Sequence, residues 1–335
     1  MTFCLCFALL LAIAPNAAPV DPPAVTTSAR RWDAVGHRAM AAMAYDRLTQ
    51  PTRARVDALL REHPDIVGLS AGIDARTPAG VREIFIRASV WPDRIRGDAR
   101  FYRETGPDVT PTPLLAGFPT MARREGWHYL TRSFSTDGAR TTRLTAPNVS
   151  TEMPRLADAL ADDAIPASVR AYHLSWIIHI VGDLHQPVHG TSRSSASTPD
   201  GDTGANRVWA TLPGERRDST NLHAIWDGMV GRVSRDLPLD SVATLLAAAL
   251  PISTTAGDDL TIPDGAALAA TVQAWADESA TLARYVVYDL PPRVGNAPPQ
   301  MSEGYLARGE VIARHRLALA AYRLVALLEA RLGDE

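Results

Sequence analysis

The sequence predicts an all-α protein, a single mostly helical domain running from residue 32 to residue 335. Three observations predict it. Apolar residues recur at three- and four-residue steps through most of the chain after Trp32, few stretches alternate with period two, and no repeat or linker interrupts the chain beyond residue 31. With 335 residues and 46% hydrophobic content, the chain can bury a sizeable core. A formal net charge of -3 excludes a global basic field for holding a long polyanion. Contact with a polyanion must come from a local site or from a bound cation.

The elements follow in order. Residues 1–18, "MTFCLCFALLLAIAPNAA", form an apolar run of signal-peptide length, too short to span a bilayer, with small residues from Ala14 to Ala18 suited to cleavage. This predicts export, to a secreted or periplasmic location, with no membrane insertion after signal removal. Residues 19–31 read as a linker or pro-segment. Both cysteines, Cys4 and Cys6, fall in the leader, so the mature chain has neither disulfide nor thiolate. Any transition-metal site must therefore be built from histidine and carboxylate. The stretches "DAVGHRAMAAMAYDRL", "TRARVDALLREH" and "VREIFIRASVWPDRI" predict the first helices, and "MPRLADALADD" another after a polar region. "PASVRAYHLSWIIHIVGDLH" is the most apolar helix, which Pro187 should stop. A long loop with a short hairpin comes next. "TNLHAIWDGMVGRV" opens a further helix, with Asp218, Ser219 or Thr220 as candidate caps. Three more helices fall near 238–250, 265–288 and 301–332.

Chemistry concentrates in "HIVGDLHQPVHG", residues 179–190. His179 and Asp183 are four apart, as are His223 and Asp227, so each pair shares one face of a helix and can grip one metal ion from one side. One such pair by itself reads equally well as a helix-surface pair. Two of them, set among apolar residues, make a stronger pattern, because a buried carboxylate needs a partner or a cation. His189 lies just past the helix stop, and His185 sits between. Trp32 stands five residues before His37, Asp93 in "ASVWPDRIR" is followed one turn later by Arg96, and His128 lies between two aromatics in "EGWHYL". Taken singly, these read as a helix start, a surface ion pair and a core histidine.

Taken together, the order Trp-x4-His, WPD, WH, HxxxD-x5-H and HxxxD resembles the zinc-dependent single-strand-specific nucleases of the S-one/P-one type and the plant bifunctional nucleases. The resemblance runs from Trp32 to about Arg331 and includes "QAWADESATLARYVVYDLP", similar to a helix of that family. It implies the helical fold shared with zinc-dependent phospholipase C, and a trinuclear zinc site. One zinc would take Asp93, His128, His179 and Asp183, and a second His189, His223 and Asp227. The third would take His37, Asp183 as a bridge, and the α-amine and carbonyl of Trp32, although "SARR" precedes that tryptophan here. The resemblance further implies hydrolysis of single-stranded DNA and RNA to 5′-phosphorylated products, with 3′-nucleotides as further substrates. Asp93, Arg96 and Asp183 would carry the catalysis, Tyr129 and Asn206 would contact substrate, and no obligate protein partner is implied. Thr131 stands where the fungal relatives have an aspartate, and the family's "GGN" reads "GAN" at 204–206. His63, His173 and His315 have no counterpart, and His185 reads as a supporting residue. Two alternatives stay open. Zinc-dependent phospholipase C resembles HxxxE rather than HxxxD at the last pair, and a non-catalytic secreted protein could use the cluster for stability alone.

Overall fold

The computed structural model describes residues 34–106, 109–141, 146–214, 219–234, 236–251 and 260–333. The leader, the pro-segment, Trp32 and the candidate cap Asp218 lie outside the described residues. The chain folds as helices α1 (Ala34–Tyr45), α2 (Gln50–Arg61), α3 (Ile66–Ser70), α4 (Pro78–Ala88), α5 (Trp91–Arg94), α6 (Val149–Ala161) and α7 (Ala167–Leu184). Then come α8 (Leu222–Asp227), α9 (Met229–Ser234), α10 (Leu239–Ala249), α11 (Gly265–Leu282) and α12 (Glu303–Leu332). The all-α expectation is met. Strands are confined to two short pairs: β1 (Arg132–Ser135) runs parallel to β2 (Thr191–Ser194), and β3 (Trp209–Thr211) antiparallel to β4 (Ser219–Asn221).

Helix α7 is the axis of the molecule. From Ala171 to Leu184 every side chain is buried, as expected of a helix that is apolar all round rather than along one stripe. It packs against α6, α12, α2, α5, α1, α4 and α11, so its polar residues face other helices, not water. Helix α12 supplies the other long wall, with an apolar face from Tyr305 to Leu332. Among the described residues, no helix is long and apolar enough to cross a membrane.

Local chemistry sets the element ends. The Thr77 hydroxyl accepts from the Gly80 N–H to cap α4, Asn148 forms a reciprocal cap with Thr151 on α6, and Ser302 accepts from Tyr305 on α12. Neither Ser219 nor Thr220 caps α8. Both lie in β4, and the Asn221 side chain accepts from the Ala224 N–H instead. The helix expected across 81–95 is broken after Ala88, because Pro92 has no N–H to continue the ladder; α5 restarts at Trp91. The helix expected over 265–288 ends at Leu282 and passes into a π-turn, Ala283–Val287.

Candidate metal centre

Eight polar residues meet in the interior from six separate elements. His37 comes from α1, Asp93 from α5, His128 from the 3-10 turn Glu125–His128, and His179 and Asp183 from α7. His189 comes from the 3-10 turn Pro187–Gly190, and His223 and Asp227 from α8. All but Asp93 are buried. Their ligand atoms form three groups, each within 4.8 Å: His37 with Asp93 and His179, His128 with His179 and Asp183, and His189 with His223 and Asp227.

Asp183 is the hub. Its Oδ2 lies 2.8 Å from His128 Nδ1 and 3.0 Å from His179 Nε2, and its Oδ1 lies 3.1 Å from His189 Nδ1 and 3.4 Å from His37 Nε2. One carboxylate thus touches four imidazoles. Burial by itself would raise the Asp183 pKa, but His179, His189 and the bonds from His128 and His179 outweigh it and hold it well below the usual range. Burial would likewise lower His179, yet Asp183 and Asp93 hold that imidazole up at about 9. His37 and His128 are lowered, chiefly by burial.

Backbone carbonyls orient the rings. His179 Nδ1–H donates to the Ser89 carbonyl at 2.7 Å, which turns Nε2 toward Asp183. His223 Nδ1–H donates to the Gly204 carbonyl at 2.7 Å, with Nε2 3.2 Å from Asp227 Oδ2. Fixing one imidazole nitrogen by a carbonyl sets the tautomer and aims the other lone pair, as in known metal-binding histidines. Gln186 Nε2 donates to Asp227 Oδ1 at 3.1 Å. At Gly182 a β-carbon would stand 2.8 Å from His37 Nδ1; the bare glycine lets His37 lie over α7 and stack on His179 at 4.2 Å.

The donor set suits a divalent cation. His37 Nδ1 and His128 Nε2 are buried with no hydrogen-bond partner among the described residues, while His37 Nε2, both ring nitrogens of His189 and Asp227 Oδ2 have only ion-pair contacts, at 3.1–3.8 Å, and no well-formed hydrogen bond. A buried polar atom without a partner costs about 1–3 kcal/mol. Imidazole and carboxylate donors without thiolate match zinc and similar first-row ions.

A family model described as S1/P1 nuclease matches residues 32–333. The chain belongs to the S1/P1 nuclease family. It is also 27% identical over 168 residues to Nuclease S1 of Aspergillus oryzae, a stretch covering 47% of this chain and 53% of that protein. The chain thus matches about half the length of this relative.

Around the S1/P1 nuclease cluster, Arg96 Nη1 reaches Asp93 Oδ1 at 3.3 Å, and the Tyr129 ring packs on His189 with centroids 4.9 Å apart. Asn206 is not in any of the three groups. It sits on the Gly201–Asn206 loop, where its Nδ2 donates to the Thr203 carbonyl at 2.9 Å. His63 and His173 are buried apart from the groups, and His315 is exposed. His185 belongs to a different knot. Its Nε2 lies 2.9 Å from Arg323 Nη1, and Arg323 and Arg316 both donate to Glu278, at 2.8 and 2.7 Å. Arg316 also donates to the His185 carbonyl, and the Ser279 hydroxyl to the Leu184 carbonyl. These bonds tie α11 and α12 to the end of α7, directly before His189. The sequence reading missed them, together with Gly182 and Gln186. Arg316 and Arg323, seven apart in the apolar run "RLALAAYRLVALL", were the available signal.

Proposed function

We propose that this chain is an exported, zinc-dependent endonuclease that cleaves single-stranded DNA and RNA to 5′-phosphorylated products and also acts on 3′-nucleotides. The observation that carries this reading is the meeting of histidines and aspartates from six elements in one buried cluster, four of the imidazoles on Asp183, in the order of the family motifs. In this reading three zinc ions are held by Asp93, His128, His179 and Asp183, by His189, His223 and Asp227, and by His37 with Asp183 and the Trp32 amine and carbonyl. Bound zinc would supply Lewis acidity and concentrated positive charge toward a phosphodiester. The protein's own groups do the rest. Asp183 fixes four imidazoles in one arrangement, so little reorganisation is needed when substrate enters. Arg96, held by Asp93 at the edge of the cluster, offsets negative charge that builds on the phosphoryl group. Tyr129, partly exposed beside His189, offers a ring face to a base, and Asn206 an amide oxygen. A recessed cluster fits a splayed strand with unstacked bases better than a duplex.

The test is initial-rate measurement on zinc-reconstituted protein with single-stranded DNA, RNA, duplex DNA, a 3′-mononucleotide and phosphatidylcholine vesicles. The expected result is hydrolysis of both single strands and the 3′-nucleotide, abolished by chelator. Hydrolysis of the lipid without the strands overturns the reading in favour of a phospholipase. No hydrolysis of any substrate by protein of correct N-terminus leaves a zinc-stabilised non-enzyme. Intact mass with zinc analysis on the secreted protein checks the third site: a chain beginning at Trp32 should carry about three zinc ions.

A further inference from the structure

A polar cavity lies beside the loop that orients His223. It has a volume of about 470 Å³ and is walled by β2, the turn after it, β3 and the segment following the π-turn. That volume falls within the range of small-molecule sites, about 300–1,000 Å³. Three guanidinium groups line it, those of Arg193, Arg207 and Arg293, against one carboxylate, Asp202.

Asp202 is committed to the fold. Its Oδ1 accepts from the Arg193 N–H at 3.0 Å, the Ala205 N–H at 3.1 Å and the Tyr288 hydroxyl at 2.9 Å. Arg193 stacks over the Tyr288 ring at 4.5 Å, with its Nε 3.8 Å from Asp202 Oδ2. Arg207 gives one N–H to the Gly201 carbonyl at 3.1 Å. Among the described residues, no carboxylate forms an ion pair with Arg207 or Arg293, and each guanidinium has five N–H donors to offer. The rim carries Trp209, 42% exposed, whereas every other described tryptophan is buried. An exposed indole beside clustered guanidinium groups and the hydroxyls of the 195–198 turn pairs a stacking surface with phosphate donors.

We propose that this cavity is a second nucleotide-binding site, in which the arginines hold a phosphate and Trp209 stacks on its base. The inference rests on the proposed function for its substrate class: a flanking nucleotide of the same strand whose scissile phosphate lies at the metal centre. The Gly201–Asn206 loop joins the two places, since Asp202 faces the cavity while the Gly204 carbonyl holds His223. A strand crossing this loop occupies both.

Two measurements test it. Chelator-treated protein is titrated with a 5′-mononucleotide, an oligothymidylate and inorganic phosphate, following tryptophan fluorescence, for wild type, Trp209→Ala and Arg207→Ala/Arg293→Ala. Saturable quenching by both nucleotide ligands is expected in wild type and its loss in the variants. On reconstituted enzyme, both variants should raise KM for the oligothymidylate about 5- to 100-fold while leaving KM and kcat for a dinucleotide unchanged. Wild-type quenching and KM in both variants overturn the site, and phosphate binding as tightly as nucleotide overturns the stacking role. If the enzyme cleaves no strand at all, the proposed function fails while the titration still decides this site.

Discussion

Replacing Asp183 by asparagine keeps the shape of the hub and removes its charge. The structure gives the expected size of the effect. Asp183 touches His128 and His179 through one oxygen and His189 and His37 through the other, so the change reaches donors of more than one group. A protein zinc site is worth about 10–16 kcal/mol at neutral pH and is shared among about four ligands, so one lost ligand costs roughly 3 kcal/mol, or about 150-fold in affinity. In the proposed three-zinc arrangement Asp183 serves two ions, so the loss would fall on both. The amide N–H of the introduced asparagine would moreover compete for the histidine lone pairs. Dialysis against buffered low zinc, metal analysis and initial rates on single-stranded DNA should show about two zinc ions lost and turnover reduced at least 100-fold. Circular dichroism should stay helical, because α7 is held from seven neighbouring helices. Wild-type zinc content and turnover in D183N would refute the bridging role.

Two further perturbations address support and pH. Gly182→Ala places a β-carbon 2.8 Å from His37 Nδ1 without straining the helix, so it should cost about one zinc ion, with His189, His223 and Asp227 retaining theirs; full zinc content would show that His37 moves freely. His63 is buried and held down at about 3 against an ordinary 6.5, so below pH 6.5 the unfolded chain takes up a proton that the folded chain refuses. Stability therefore falls as pH drops from 6.5 toward 3, by about 1.4 kcal/mol per pH unit from this group. Urea midpoints of chelator-treated His63→Gln should decline less steeply than wild type over that window, and parallel slopes would assign the acid sensitivity elsewhere.

Local spacing made much of this protein legible. The i, i+4 pairs His179–Asp183 and His223–Asp227 declare themselves because helical periodicity turns a sequence interval into a distance. His37, Asp93 and His128 do not; each meets α7 only through tertiary packing, and motif order rather than periodicity connected them. The Ser89 and Gly204 carbonyls that aim two histidines are backbone groups, which side-chain patterns do not report. The parallel pair of Arg132–Ser135 with Thr191–Ser194 escaped because "RSFS" and "TSRS" are short, polar and distant in sequence. The break between α4 and α5 was missed, although Pro92 was the signal for it. Caps were harder: Asn221 follows Ser219 and Thr220, all three suited to the role, and only the start of α8 at Leu222 selects Asn221.

The knot of Glu278 with Arg316 and Arg323 changes what metal content would report. The proposed ligands occur between Trp32 and Asp227, yet the turn that delivers His189 is tied down from α11 and α12, which come last in the chain. An emerging polypeptide would contain every proposed ligand well before it contains the clamp that aligns them. A truncated or nicked chain could keep the full motif and still load poorly. In that sense metal content would report whether α11 and α12 have docked on the end of α7.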